Sequence, residues 1–263
     1  MKVATWNING VKARLPVVIE WLRRSQPDVA CLQEIKSVDE AFPRSAFEDL
    51  GYNVETHGQK GFNGVALLSR APFEEVNRGL PGDEADEQAR FIEGVLATER
   101  GPLRLVSLYL PNGNPTDMPK YDYKLAWMER LIAWTKHRLA LEEAFVLLGD
   151  YNVIPSPADK YDTGEWDTDA LWMLPSRERL RALRGLGLRD AIEAIGDAPG
   201  RYTFWDYQAG ARPRNLGFRI DHALLSPQAM DRLVTASIED DVRDWEKPSD
   251  HVPVVVQLDY GMA

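Results

Sequence analysis

Short apolar runs alternate with stretches of helical periodicity along the whole chain. Runs at 2–6, 29–33, 52–57, 64–69, 91–97, 103–110, 145–148, 202–205, 221–225, 234–238 and 252–258 have the length and composition of strands. Helical spacing is clearest over 121–141, where Leu125, Met128, Leu131, Ile132 and Thr135 recur at threes and fours; helices are also predicted near 17–24 and 177–186. Eleven strands suggest more than one sheet, with the helices covering sheet faces, which is an α/β arrangement. No Gly/Ser- or Pro-rich linker divides the pattern, so one domain over 1–263 is expected. A short echo, Ala66-Leu67-Leu68-Ser69 and Ala223-Leu224-Leu225-Ser226, hints at two similar halves packed sheet against sheet.

Composition narrows the class. With 263 residues, 44% of them hydrophobic and 27% charged, the chain has an ordinary globular balance and enough length for a core. Its apolar runs fall well short of the roughly 20 residues that cross a bilayer, and Met1 to Asn7 turns polar too soon for a secretion signal. A cytoplasmic protein is expected. The single cysteine, Cys31, excludes an internal disulfide and a cysteine-based zinc site, and its run Val29-Ala30-Cys31-Leu32 predicts a buried strand.

The net charge of -10 opposes non-specific attraction to nucleic acid if evenly spread. It is uneven: five arginines lie between Arg177 and Arg189, and Arg201, Arg212, Arg214 and Arg219 follow. Such runs read either as a solvated face or as a phosphate-facing strip on an acidic body.

The chemistry lies at strand ends. Asn7 follows one apolar run, Glu34 another, and Asp150 with Asn152 a third; Asp221 begins a run, and Ser249-Asp250-His251 precedes one. Strand ends fix the backbone while loops expose side chains, so mixed α/β proteins build sites there. Taken singly, each residue has a structural explanation as a turn former, a cap or a surface carboxylate. Together they supply carboxylates, amides and one histidine, the donor set of a hard cation such as Mg²⁺ engaged with phosphate.

Alternation on a strand sends His222 to the face opposite Asp221, so His251 is the candidate active histidine, with Asp221 to orient it and Asp250 left for the metal. A serine hydrolase is excluded because no Gly-x-Ser-x-Gly elbow occurs and Ser249, Asp250 and His251 are contiguous. The acidic stretch Asp159, Asp162, Glu165, Asp167, Asp169 lacks EF-hand spacing and reads as a solvated insertion, anchored by Trp166 and Trp172. No phosphate-binding or dinucleotide glycine motif is present, so no nucleotide cofactor is implied.

Trp6-Asn7-Ile8-Asn9-Gly10, Leu32-Gln33-Glu34-Ile35-Lys36, His57-Gly58-Gln59-Lys60-Gly61, Gly64-Val65-Ala66-Leu67-Leu68, Gly149-Asp150-Tyr151-Asn152, Arg219-Ile220-Asp221 and Glu246-Lys247-Pro248-Ser249-Asp250-His251 resemble the successive motifs of the exodeoxyribonuclease III family, AP endonucleases of the endonuclease/exonuclease/phosphatase superfamily. The resemblance implies a four-layer α/β sandwich, two packed mixed sheets flanked by helices. It implies that Glu34 holds Mg²⁺, or Mn²⁺ in its place, with Asp250, Asn7, Asp150 and Asn152. Asp150 and Asn152 would line the attacked phosphate, Asp221 would orient His251, and Tyr109 matches the family's active-site tyrosine. Either Asp150 or His251 would serve as base. Phe204 and Phe218 would form a pocket for an extruded abasic sugar, with Asn112, Arg212 and Arg214 binding substrate. Asn9 stands where some abasic endonucleases carry an aspartate. The implied activity is Mg²⁺-dependent cleavage of duplex DNA 5′ to abasic sites and removal of nucleotides or blocking groups from 3′ ends, by a monomer. A phosphoesterase for lipid or inositol phosphates on the same fold is the alternative.

Overall fold

The computed structural model describes residues 1–161, 166–196 and 200–261. The chain runs β1 (Lys2–Asn7), α1 (Val11–Ser25), β2 (Val29–Gln33), α2 (Arg44–Glu48), β3 (Asn53–His57), β4 (Val65–Ser69) and β5 (Glu75–Arg78). It continues through β6 (Phe91–Leu96), β7 (Leu103–Tyr109), α3 (Pro119–Ala140), β8 (Phe145–Asp150), α4 (Leu174–Gly185), β9 (Arg189–Asp190) and α5 (Ala191–Ala194). The remaining elements are β10 (Phe204–Trp205), β11 (Gly217–Phe218), β12 (Asp221–Leu225), α6 (Pro227–Met230), β13 (Leu233–Ile238) and β14 (Val254–Leu258).

Two six-stranded sheets form the middle layers, ordered β13-β14-β1-β2-β4-β3 and β5-β6-β7-β8-β12-β9. Each centres on one parallel pair, β1 with β2 and β7 with β8, and its other pairings are antiparallel. The Ala-Leu-Leu-Ser echo falls on β4 and the end of β12, the fifth strand of each sheet, so it marks equivalent positions in two halves.

Both faces of the central strands are covered, which is why they read as continuous apolar runs. Alternate side chains enter different cores. Val3, Val146 and Leu148 pack between the sheets; Ala4 and Trp6 face Val18, Trp21 and Leu22 of α1; Phe145 and Leu147 face Trp127, Met128 and Leu131 of α3. Trp6 meets Trp21 edge-on with ring centroids 5.3 Å apart. Burying one such side chain contributes about 1.5–3 kcal/mol. Helix, sheet, sheet and helix therefore stack in four layers.

One helix boundary and several short elements depart from the sequence reading. Helix α1 starts at Val11 rather than after Pro16, because Gly10 at φ +99° turns the chain directly into the helix and Arg14 N donates to Gly10 O at 3.1 Å. Pro16 sits inside the helix without ending it. Strand β5 escaped the apolar pattern because it is a largely exposed edge, Glu75-Val76-Asn77-Arg78. Strands β9 and β11 are two residues each, too short to leave a periodic signal.

Candidate active site

Register decides which polar groups meet. Asp150 closes β8, Tyr109 lies opposite it on β7, and Asp221 lies opposite it on β12, so three polar residues stand at one level across adjacent strands. Gly149 allows that approach: a Cβ there would stand 1.9 Å from the Leu108 carbonyl oxygen. In the other sheet Asn7 closes β1, and Glu34 follows β2. The Asn7 amide joins the two sheets, donating from Nδ2 to Glu34 Oε1 at 2.9 Å and to Asp150 Oδ2 at 3.0 Å.

His251 completes the cluster. Its Nδ1 lies 2.8 Å from Asp221 Oδ2 and its Nε2 3.7 Å from Asp150 Oδ2. The backbone holding it is anchored twice: Trp6 Nε1 donates to His251 O at 2.9 Å, and Ser249 Oγ donates to Asn7 O at 2.7 Å. Asp221 is steadied by Thr203, whose Oγ1 accepts from the Ile220 and Asp221 amides, each at 3.1 Å. His222 points to the opposite face, where its Nδ1 lies 2.7 Å from Asp190 Oδ2, as alternation requires.

Backbone strain concentrates here. Glu34, Lys36, Asn9 and Asn152 occupy the left-handed region at φ 50°, 50°, 47° and 46°. Such conformations cost on the order of 1–3 kcal/mol each and persist where surrounding contacts enforce them. The Asn152 amide N–H donates to Asp150 Oδ1 at 2.8 Å, its Nδ2 to Leu110 O at 2.9 Å, and its Oδ1 accepts from Asn112 Nδ2 at 3.0 Å.

The electrostatics are those of a buried, densely charged pocket. Burial pushes the Asp150 carboxyl up to about 7, and the Asp221 charge adds to that effect. Burial opposes the His251 charge, but Asp221 and Asp150 more than offset it and raise the imidazolium to about 10. Glu34 is moved upward by burial yet ends below its ordinary value, because Asn7 donates to it and Lys36 pairs with it at 2.9 Å. The Tyr109 phenol is held well above 10 by burial and by the neighbouring Glu34 and Asp150 charges.

One ligand atom from each of Asp150, Asp221 and His251 lies within 4.8 Å of the others. Asp221 Oδ1 is buried without a hydrogen-bond partner among the described residues. The Glu34 and Asp150 carboxylates, both held by the Asn7 amide, are oxygen donors that fit a hard cation. Asp250 stands apart from that group: its Oδ1 accepts from Asn9 Nδ2 at 3.1 Å and lies 3.2 Å from Ser249 Oγ.

Phe204 packs on His251, with ring centroids 4.9 Å apart, and stacks on Phe218 at 5.4 Å. Tyr161 and Trp166 cover the far side of Phe218. Trp205 is a core residue, buried and donating from Nε1 to Asn215, whereas Tyr207 is exposed. Of the acidic stretch, Asp162 and Glu165 lie outside the described residues, while Asp159 is buried against Arg219 at 2.7 Å.

The arginine runs do not form one strip. Arg219 is buried among Asp159, Asp190 and Glu193, so neither a solvated face nor a phosphate contact describes it. Arg212 pairs with Asp244 at 2.8 Å and lies over the Trp205 ring, whereas Arg214 is exposed. Arg179 pairs with Glu129, Arg184 with Glu193, and Arg177 stacks on Trp172 at 4.0 Å.

Sequence reasoning missed Thr203, Ser249 as an anchor for Asn7, and Lys124 of α3. A helical lysine ordinarily faces water, so no local signal marked it. Lys124 is fully buried and donates to backbone carbonyls beside the site.

No helix among the described residues is long and apolar enough to cross a membrane. Residues 4–251 match the Endonuclease/Exonuclease/phosphatase family. The chain is 36% identical to exodeoxyribonuclease III of Haemophilus influenzae over 265 residues, covering 97% of this chain and 98% of that protein. Among solved structures it resembles an AP endonuclease from Archaeoglobus fulgidus, with TM-score 0.91, 35% identity and 98% and 99% of the two chains covered. It also resembles the 3′ phosphatase NExo from Neisseria, solved with a product DNA hairpin, with TM-score 0.93, 35% identity and the same coverage. The cluster of Asn7, Glu34, Asp150, Asp221 and His251 thus stands on a shared scaffold, and the chain belongs to the endonuclease/exonuclease/phosphatase family, in its exodeoxyribonuclease III group.

Proposed function

We propose that this DNA-repair phosphodiesterase uses Mg²⁺ to hydrolyse duplex DNA 5′ to abasic sites and to remove nucleotides or blocking groups from 3′ ends. The observation that carries the reading is the single Asn7 amide bridging Glu34 and Asp150, which brings strand ends from both sheets to one point. In this reading residues 1–263 act as one domain and as a monomer.

Glu34, Asp150 and Asn7, with Asn152 and Asp250 at the margins, would hold the cation. When bound, a divalent cation neutralises charge on the phosphate oxygens and lowers the barrier to attack. The imidazolium of His251, held by Asp221, presents Nε2 as a charge-assisted donor to the phosphate. Asp150, in register with Tyr109 and Asp221 and 3.7 Å from His251 Nε2, takes the proton from the attacking water. The water oxygen bonds to phosphorus as the bond from phosphorus to the 3′ oxygen breaks, the leaving 3′ oxygen takes a proton from solvent water, and the Tyr109 phenol stands beside Glu34 and Asp150 to steady the developing charge. Phe204 and Phe218 offer the apolar face for a sugar that carries no base, and flipping costs least there. Asn112 and Arg214 contact the flanking backbone, while Arg212 joins them by exchanging Asp244 for phosphate.

The test is incubation with a duplex bearing one abasic site, and with a 3′-end-labelled duplex, in Mg²⁺ with and without EDTA. Incision and 3′ trimming that EDTA abolishes are expected. Full activity in EDTA, or inertness toward both duplexes, defeats the reading.

A further inference from the structure

Lys124 donates from Nζ to three backbone carbonyls: Asn112 at 3.0 Å, Asn152 at 2.6 Å and Ala170 at 3.1 Å. An ammonium carries three N–H bonds, and all are used. The three acceptors lie on separate segments: the loop after β7, the loop after β8, and the stretch leading into α4. Two of these segments meet again at the site, where Asn112 Nδ2 donates to Asn152 Oδ1 at 3.0 Å. The first loop also passes directly over the lysine stem. Gly113 has φ +88°, and a Cβ there would lie 2.7 Å from Lys124 Cδ and 3.1 Å from Ala170 Cβ. Ser176 Oγ donates to the same Ala170 carbonyl at 2.8 Å and contacts the Tyr121 hydroxyl of α3 at 3.1 Å. Burying an ammonium is costly: burial pulls Lys124 down to about 7, opposed by the Asp150 and Asp169 charges. A methionine would fill the same space but would make none of the three bonds that tie these segments together.

We propose that Lys124 is a positioning residue for the reaction: by gathering the Asn112, Asn152 and Ala170 carbonyls on one ammonium, it sets where the Asn112 and Asn152 amides stand against the attacked phosphate. This rests on the reading that those amides face the phosphate. A displacement of about 1 Å in such groups lowers turnover roughly 100-fold.

The test compares Lys124→Met, Lys124→Gln, Asn152→Ala and the double variant Lys124→Met/Asn152→Ala, with kcat and KM on a 3′-end-labelled duplex and Tm for each. Lys124→Met is expected to lower kcat by roughly 10–100-fold with KM within about threefold, and Lys124→Gln, which keeps two donors, to lie between it and the parent. In the Asn152→Ala background the same change should cost less than about threefold, because the group it positions is already gone. A parent-like kcat in folded Lys124→Met overturns the proposal, as does a full multiplicative loss in the double variant. Loss of folding in both Lys124 variants also overturns it, since the lysine would then support the domain rather than the loops. If Asn152→Ala leaves kcat unchanged, the assignment of that amide to the phosphate fails instead, and this proposal falls with it.

Discussion

Asp221 accepts a hydrogen bond from His251 Nδ1 at 2.8 Å, and that contact turns Nε2 toward Asp150, 3.7 Å away. One carboxylate thereby orients the ring that serves its in-register neighbour on β8. Asp221→Asn keeps the shape but removes the charge that holds the imidazolium. Turnover should fall about 100-fold or more, with the KM for DNA changed only a few-fold. Steady-state kinetics beside a melting curve checks this, and an unchanged kcat in a folded variant would take Asp221 out of the mechanism.

The protonation of His251 can be read directly. Burial would lower its pKa, but Asp221 and Asp150 raise it to about 10. A raised value means that the folded state favours the charged ring. That contribution is complete below the ordinary histidine value of about 6.5 and is lost as pH rises through about 10. Nitrogen NMR of the metal-free protein at pH 8 should show both ring nitrogens protonated; a midpoint near 6.5 would contradict this.

Asn7→Ala removes the donor shared by Glu34 and Asp150 and leaves two carboxylates facing each other without a bridge. Loss of an orienting partner of metal ligands typically weakens binding by about 10–100-fold. The variant should need that much more Mg²⁺ for half-maximal activity, while reaching a measurable rate at saturation. An unshifted Mg²⁺ titration would show that Asn7 does not order the ligands.

Asp150→Asn should abolish most turnover, by roughly 100-fold or more, because the amide cannot accept the proton of water. DNA binding by fluorescence anisotropy should persist. A variant that retains the parental rate would transfer the base role to His251.

Away from the site, burial opposes the Asp190 charge, but His222 and Arg219 hold its carboxyl well below the usual range, and it also caps α5 through the Ile192 and Glu193 amides. A depressed value adds stability that is present above the ordinary aspartate pKa of about 3.9 and is lost as pH falls through the lower folded value. Asp190→Asn leaves Arg219 buried with an incomplete set of partners, and should cost about 3–5 kcal/mol at neutral pH. Denaturant melts should show the gap to the parent narrowing below pH ~4. A neutral-pH loss under about 1 kcal/mol would contradict the account.

The central strands and the polar groups at their ends were legible along the chain, because a continuous apolar run and the polar residue that ends it are local properties, whereas exposed β5 and the two-residue β9 and β11 left no such run. Even the separation of His222 from Asp221 follows from alternation alone. Other features are pairings between distant segments, to which local pattern is blind. The register that sets Asp150 against both Tyr109 and Asp221 exists only once β7, β8 and β12 pair, and the Asn7 bridge to Asp150 only once the two sheets pack. Arg219 and Lys124 show the limit most sharply. A charged side chain reads as solvent-facing until the fold surrounds it with carboxylates in one case and carbonyls in the other. Burial and partner choice are decided by what arrives from elsewhere in the chain.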